Sequence, residues 1–413
     1  MKLAKLPSGF SRGCFFFYGY GRAGIDSSDK PLEEDGGWIR LPFVFGEGAL
    51  LANVTIGNPP QVVAFALDTG SADIWVESAA NPFCEELEAA GAARTCAGKT
   101  FNSSTSSTFN SIPNEFYIQY FDKTYGQGLY ATDTFGIGGA TLSNQTFAVA
   151  SKGNLTHGVI GLGYEFTESS TTTYEYSGIL RSLREQRYIG AMVYSLYTND
   201  LFTEGNILFG GIDRAKYDGD LVPLPMVPDI DGYYTHVGIE LQSLQLEFPD
   251  KKTHTFNSSI NLPFLADSGT TLLQFPTDIF MSIVDYFGAE YNSTIGFYTF
   301  TGCSKYVPFE SDQYSNYSMV FGFDGITIKV TLDYLVNFVS ADDHDLCQII
   351  ISYTDDPSYY ILGDTFLNSA YVVYDFGYNR VFLAQANFDV ENEDIVAVRK
   401  GLGKNAIADA IAS

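Results

Sequence analysis

The chain has little charge, few basic residues, few cysteines and few histidines. Only 17% of its 413 residues are charged, and 23 bases against 49 acids give a net charge of −26. A field of that sign repels phosphates and anionic headgroups, which excludes nucleic acid and an acidic lipid surface as partners. The four histidines, His157, His236, His254 and His344, stand apart, with no two at metal-ligand spacing, so no metal and no cofactor is expected. Five cysteines, Cys14, Cys84, Cys96, Cys303 and Cys347, are too few and too scattered for a zinc module; they allow two disulfides and one left over. No run approaches the roughly 18 apolar residues of a transmembrane helix. The absence of a Gly-x-Ser-x-Gly elbow argues against a serine hydrolase.

Apolar material is plentiful. Hydrophobic residues make up 45% and aromatics 15%, which excludes global disorder. The length suits two or three domains, or one large two-lobed body. The acid surplus fits a protein that works in acid, where protonation relieves self-repulsion; plain solubility explains it equally simply. Asn53, Asn102, Asn144, Asn154, Asn257, Asn292 and Asn316 each open an Asn-x-Ser/Thr sequon, which favours a glycosylated protein on the secretory route. Met1 to Ile25 holds only the short apolar run Cys14-Phe-Phe-Phe-Tyr18, too short for a signal-peptide core, so either this N-terminus is incomplete or rearranged, or export takes another route. The stretch from Val398 to Ser413 has no hydrophobic run suited to a lipid-anchor signal.

Residues 1–40 read as a poorly ordered leader or prosegment remnant, ending in the acidic turn Glu33-Glu-Asp-Gly-Gly37. Beyond them, short β-rich runs alternate with Gly, Asn and Asp. Val62–Leu67, Phe116–Tyr120, Asn206–Phe209 and Ala370–Tyr374 are examples, and they predict an all-β body. Helical patterning is confined to Ile179–Gln186, Asp278–Phe287 and Leu332–Val336.

The chain also repeats itself. Phe65-Ala-Leu-Asp68-Thr-Gly-Ser71 returns as Phe264-Leu-Ala-Asp267-Ser-Gly-Thr270. Val159-Ile-Gly161-Leu-Gly163 follows the first, and Ile361-Leu-Gly363-Asp364 follows the second. Asp68 precedes Gly161 by 93 residues and Asp267 precedes Gly363 by 96. Two paired echoes at matching offsets imply two homologous lobes, at 41–199 and 200–398 with a tail at 399–413, and an approximate two-fold axis that sets Asp68 against Asp267. Two carboxylates held that close cannot both ionise easily, so they share a proton over a wide acidic range. A water between them can lose a proton to the ionised Asp while the protonated one donates to an amide carbonyl. Gly70 and Gly269 allow close backbone approach to the carboxylates. Thr69 and Ser268 can tie the two loops together, and Ser71 and Thr270 can orient the outer carboxylate oxygens.

These residues give the sequence its resemblance to the pepsin-like aspartic endopeptidases, and more closely to the secreted fungal members. Asp68-Thr-Gly-Ser with Trp75, Asp267-Ser-Gly-Thr-Thr271, the entry segment Asn53-Val-Thr-Ile-Gly-Asn-Pro-Pro-Gln61 and the ending Tyr360-Ile-Leu-Gly-Asp-Thr-Phe-Leu367 carry it, over about Leu41 to Ile395. The resemblance implies a bilobal all-β fold with a central cleft. It implies hydrolysis of internal peptide bonds in acid, with Asp68 and Asp267 as the catalytic pair. Gly269 and Thr271 would contact substrate backbone. It further implies a hairpin flap at 116–130 whose Tyr120 hydrogen-bonds Trp75, Tyr125 being the fallback. Asp122, two residues on, either pairs with a substrate lysine or is a solvated turn residue beside Lys123. Protein or peptide substrates bound extended, pepstatin-like inhibitors, a monomer and a basic prosegment are implied as well.

Within that picture Cys84–Cys96 and Cys303–Cys347 pair as disulfides, with reactive thiols as the alternative and Cys14 left over. Two rivals stand beside the enzyme: a non-catalytic relative that only binds, and a secreted β-sandwich glycoprotein with a coincidental Asp-Thr-Gly.

Overall fold

The computed structural model describes residues 37–92, 95–96, 98–120, 122–169, 176–199, 203–229, 231–308, 315–340, 343–399 and 405–412. Residues 1–36, with Cys14 and most of the expected leader, lie outside them. The body is built of strands, and one long sheet runs through both halves of it. Within it, Val193–Thr198 pairs with Glu204–Phe209 on one side and with Ala370–Asp375 on the other. Glu204–Phe209 then pairs with Ile39–Gly46, so the first strand begins at Ile39, inside the stretch expected to be leader.

Val193–Thr198 and Ala370–Asp375 read as unbroken apolar runs because both faces are covered. Tyr194, Leu196, Val372 and Tyr374 enter the main core, while Val193, Tyr197, Tyr371 and Val373 enter a second one on the opposite face. That split follows the two-residue period of a strand. The second core is closed by the tail helix Ala406–Ala412, which contributes Ile407 and Ala410 from one helical face. Arg214 Nη1 donates to the Ile411 carbonyl at 2.9 Å and ties the helix end down.

Each half repeats one local arrangement. Gln61–Asp68 runs parallel to Gly158–Gly161, with Asp68 opposite Gly161, and Ile74–Ser78 lies antiparallel to the same short strand. Leu262–Ala266 runs parallel to Ile361–Leu362, which Leu273–Pro276 meets antiparallel. The paired sequence echoes are thus the two copies of one three-strand unit, the first strand ending at Asp68 in one copy and just before Asp267 in the other.

The helix at Ile179–Glu185 forms as expected, and Thr277–Phe287 buries Ile279, Phe280, Ile283 and Val284 before ending at Gly288, whose φ of 63° is left-handed. Leu332–Val336 does not form a helix. Leu332–Tyr334 makes a single 3-10 turn and Val336–Ser340 becomes a strand paired with Asp343–Ile349. Cross-strand pairing outweighs the weak local helical pattern there. The helix Pro82–Ala89, not expected, carries ordinary start signals: the Asn81 side chain accepts from Phe83 N at 3.2 Å and Pro82 opens the first turn.

Candidate active site

The two Asp-bearing strand ends meet where the halves face each other, and reciprocal hydrogen bonds lock them. Thr69 Oγ1 donates to the Ala266 carbonyl at 2.8 Å and accepts from Ser268 N at 2.9 Å. Ser268 Oγ donates to the Leu67 carbonyl at 2.9 Å and accepts from Thr69 N at 3.2 Å. Both side chains are buried, so each bond forms away from water and leaves no polar atom stranded.

This lock presses the carboxylates together. Gly70 N donates to Asp68 Oδ1 at 2.9 Å and Gly269 N to Asp267 Oδ1 at 2.8 Å. Each glycine also lies against the opposite acid. A Cβ on Gly70 would fall 2.5 Å from Asp267 Oδ1, and one on Gly269 would fall 2.3 Å from Asp68 Oδ1. No side chain fits at either place. Thr270 Oγ1 donates to Asp267 Oδ2 at 2.8 Å, and Ser71 Oγ donates to Asp68 Oδ2. Burial, the neighbouring Asp267 charge and a hydrogen bond between the carboxyls push Asp68 up to about 7.

A hairpin covers this pair. Asn110–Gln119 and Tyr125–Ile137 are its arms, and Tyr120 N donates to the Thr124 carbonyl across the tip. The Tyr120 hydroxyl accepts from Trp75 Nε1 at 2.9 Å. Burial and the Asp68 charge raise the Tyr120 phenol well above its ordinary value, so it keeps its proton. Tyr125, the fallback, packs on Tyr117 with ring centroids 6.4 Å apart.

A family model described as eukaryotic aspartyl protease matches residues 49–386. The chain is a eukaryotic aspartyl protease. It is 31% identical to aspartic proteinase MKC7 of Saccharomyces cerevisiae over 84% of this chain and 67% of that protein. Yapsin-3 of the same yeast is 34% identical over 84% and 68%. Candidapepsin-1 of Candida albicans is 31% identical over 82% and 81%. These matches make it a fungal pepsin-like aspartic endopeptidase, and they favour the enzyme over a relative that only binds.

At the flap tip of this aspartyl protease, Asp122 is exposed and caps its own turn: its Oδ1 accepts from Thr124 N at 2.9 Å and from Thr124 Oγ1 at 2.6 Å. Lys123 takes the left-handed φ of 74° that would suit glycine. Thr271 Oγ1 donates to the Gly48 carbonyl at 2.8 Å, which spends its only proton and leaves its lone pairs as acceptors. Cys84–Cys96 and Cys303–Cys347 are disulfide-bonded, with Cα atoms 5.4 and 5.5 Å apart. Of the sequon residues, Asn53, Asn102, Asn144, Asn154 and Asn316 are exposed, while Asn257 and Asn292 are half-buried. Asn102, Asn257 and Asn292 each accept from the amide two residues on, the Asx-turn geometry.

The histidines have ordinary neighbours. The His157 ring packs against the Gly158 carbonyl, His236 bonds Thr235, and His254 contacts Phe256 and Tyr286. The His344 side chain lies outside the described residues. Among those residues no cluster of His, Cys, Asp or Glu could hold a metal, and no helix is long and apolar enough to cross a membrane.

Three buried ionisable features carry no local sequence signal. Asp364, in the second echo, buries both carboxylate oxygens without a hydrogen-bond partner among the described residues. Burial and the two neighbouring Asp charges raise it well above the carboxylate range. Glu77 is fully buried beside Asn81, and Lys99 is buried against Glu47. Only the three-dimensional contacts identify them.

Proposed function

We propose that Asp68 and Asp267 perform the hydrolysis. The reciprocal fit of Gly70 and Gly269 against the opposite carboxylates supports this reading, because it brings the two acids close enough to share one proton. The ionised member takes a proton from a water between them. The hydroxide adds to the scissile carbonyl carbon as the protonated member gives its proton to the carbonyl oxygen. When the tetrahedral adduct collapses, one of its hydroxyls returns a proton to the carboxylate that gave one, the C–N bond breaks, and the proton taken from water passes to the leaving nitrogen. Thr69 and Ser268 hold the carboxyls in register, Ser71 and Thr270 orient them, and the Tyr120–Trp75 contact sets the flap. The substrate lies extended and gains main-chain hydrogen bonds from the flap and from the Gly269–Thr271 segment. The activity is acidic because the pair works only while it holds one proton.

Both acids come from one chain, which supports a functional monomer. The two disulfides and the exposed sequons support passage through an oxidising secretory route. One free carboxylate oxygen on Asp122 supports a preference for a cation near the cut. Pepstatin-like peptides fit the same cleft. The reading is tested by incubating denatured haemoglobin with the protein from about pH 2.5 to 7, with and without pepstatin, beside Asp68→Asn. Pepstatin-sensitive cleavage in acid that vanishes in the variant is the expected outcome; equal cleavage by folded Asp68→Asn overturns the assignment.

A further inference from the structure

The first hairpin turn is an odd place for a glutamate. Gly46 pairs with Ala49, leaving Glu47-Gly48 as a two-residue loop, and φ is 57° at Glu47 and 85° at Gly48. Turns of that kind select Asn, Asp or Gly at the first position, since a longer side chain gains nothing there locally. Glu47 instead reaches two partners in distant segments. Lys99 Nζ donates to Glu47 Oε1, and Thr156 Oγ1 donates to Oε2 at 2.7 Å.

Lys99 is itself unusual. Its side chain is only 4% exposed, and a lysine is buried that deeply only when paired. It is set in place from behind: its backbone N donates to the Cys96 carbonyl at 2.9 Å, and Nζ donates to the Thr95 carbonyl at 3.2 Å. The lysine is therefore fixed by the loop that the Cys84–Cys96 disulfide closes. Burial pushes the Glu47 carboxyl up, but the hydrogen bonds and charge of Lys99, with Thr156, hold it below the ordinary carboxylate value.

The other end of the turn meets the second half of the molecule. The Gly48 carbonyl accepts the hydroxyl proton of Thr271, four residues past Asp267. That bond decides how Thr271 can serve a substrate. With its proton committed to Gly48, Oγ1 faces the cleft only as an acceptor, suited to a backbone N–H of an extended peptide.

We propose that Glu47, clamped by Lys99 and Thr156, is a positioning residue that fixes the Gly48 carbonyl and so presets Thr271 as an acceptor for substrate backbone beyond the residues flanking the cut. The inference rests on the cleft between Asp68 and Asp267 being the substrate site. Its effect falls on binding of long peptides and leaves the proton transfers untouched. Loss of the clamp frees the Thr271 hydroxyl to rotate and costs about the value of one hydrogen bond, a three- to tenfold loss in affinity.

The test uses Glu47→Asn and Lys99→Met. Asn suits the left-handed turn better than Glu but cannot reach Lys99, so a role confined to the turn leaves Glu47→Asn as good as the parent. Steady-state kinetics would be measured with a long peptide that fills the cleft and a short one limited to the residues around the cut. The expected result is a three- to tenfold rise in KM for the long peptide, with kcat unchanged and the short peptide unaffected. Changes equal for both peptides, or no change in either, overturn the proposal. If Lys99→Met fails to fold, Thr156→Val removes the other half of the clamp. The Kd of the uncleaved long peptide is also measured in an Asp68→Asn background. A Glu47→Asn effect on that Kd stands even if Asp68 proves not to be catalytic, whereas cleavage that survives Asp68→Asn defeats the dyad reading alone.

Discussion

Replacing Glu77 by Gln changes how stability depends on pH, by an amount the structure sets. Glu77 is fully buried on Ile74–Ser78, where Asn81 Nδ2 donates to Oε2 at 2.5 Å and Oε1 has no partner among the described residues. Burial raises its pKa from the ordinary 4.5 to about 7, outweighing the hydrogen bond from Asn81. Between those values the folded protein keeps a proton that the unfolded chain has released. Stability from this group is therefore complete below about pH 4.5, falls as pH rises through that window, and levels off above about pH 7. At about 1.4 kcal/mol per pKa unit, the full loss is about 3 kcal/mol. Glutamine has no such titration. Urea unfolding of Glu77→Gln and its parent, both in an Asp68→Asn background to prevent self-digestion, would be followed by tryptophan fluorescence from about pH 4 to 8. Any constant cost of the amide is read at the acidic end and subtracted. The variant should then gain about 3 kcal/mol relative to its parent by pH 8, most of it between pH 5 and 7. Parallel stability curves would show instead that the buried carboxyl titrates as it does in water.

Three further outcomes follow from the site. Ser268→Ala strands the Thr69 amide and the Leu67 carbonyl in a buried place, so it should cost about 2–4 kcal/mol in urea unfolding and lower kcat with it; a neutral result would mean the two loops do not depend on the lock. Tyr120→Phe removes the acceptor of the Trp75 indole but keeps the ring, so kcat/KM should fall about tenfold with little change in unfolding midpoint. Asp122→Asn retains the oxygen that caps the flap turn while removing the charge; cleavage after lysine should fall several-fold against cleavage after leucine, and an unchanged ratio would make Asp122 a turn residue only.

Much of the site is legible in the sequence because it is built from short contiguous motifs. Asp68-Thr-Gly-Ser71 and Asp267-Ser-Gly-Thr270 each supply an acid, a loop tie, a close-approach glycine and an orienting hydroxyl, and the offsets to Gly161 and Gly363 mark the strands that pair with them. Chain topology then does the rest. What the sequence hides is contact between distant segments. Nothing near Glu47 points to Lys99 or Thr156, and nothing near Glu77 says that its strand is covered on the face it occupies. The 3-10 turn at Leu332–Tyr334 and the helix at Ala406–Ala412 show the same limit. The first gives way to a neighbouring strand, and the second is held by a sheet face made of residues from across the chain.

The central claim is that Asp68 and Asp267 share one proton and together cleave a peptide bond. The pH dependence of kcat/KM on one fluorogenic peptide tests it most directly, measured for the parent, Asp68→Asn and Asp267→Asn with folding checked at each pH. A bell in the acidic range is expected for the parent, and loss of activity in both variants at every pH. A variant that keeps the parent's bell, or a parent profile that stays flat through neutrality, would contradict it.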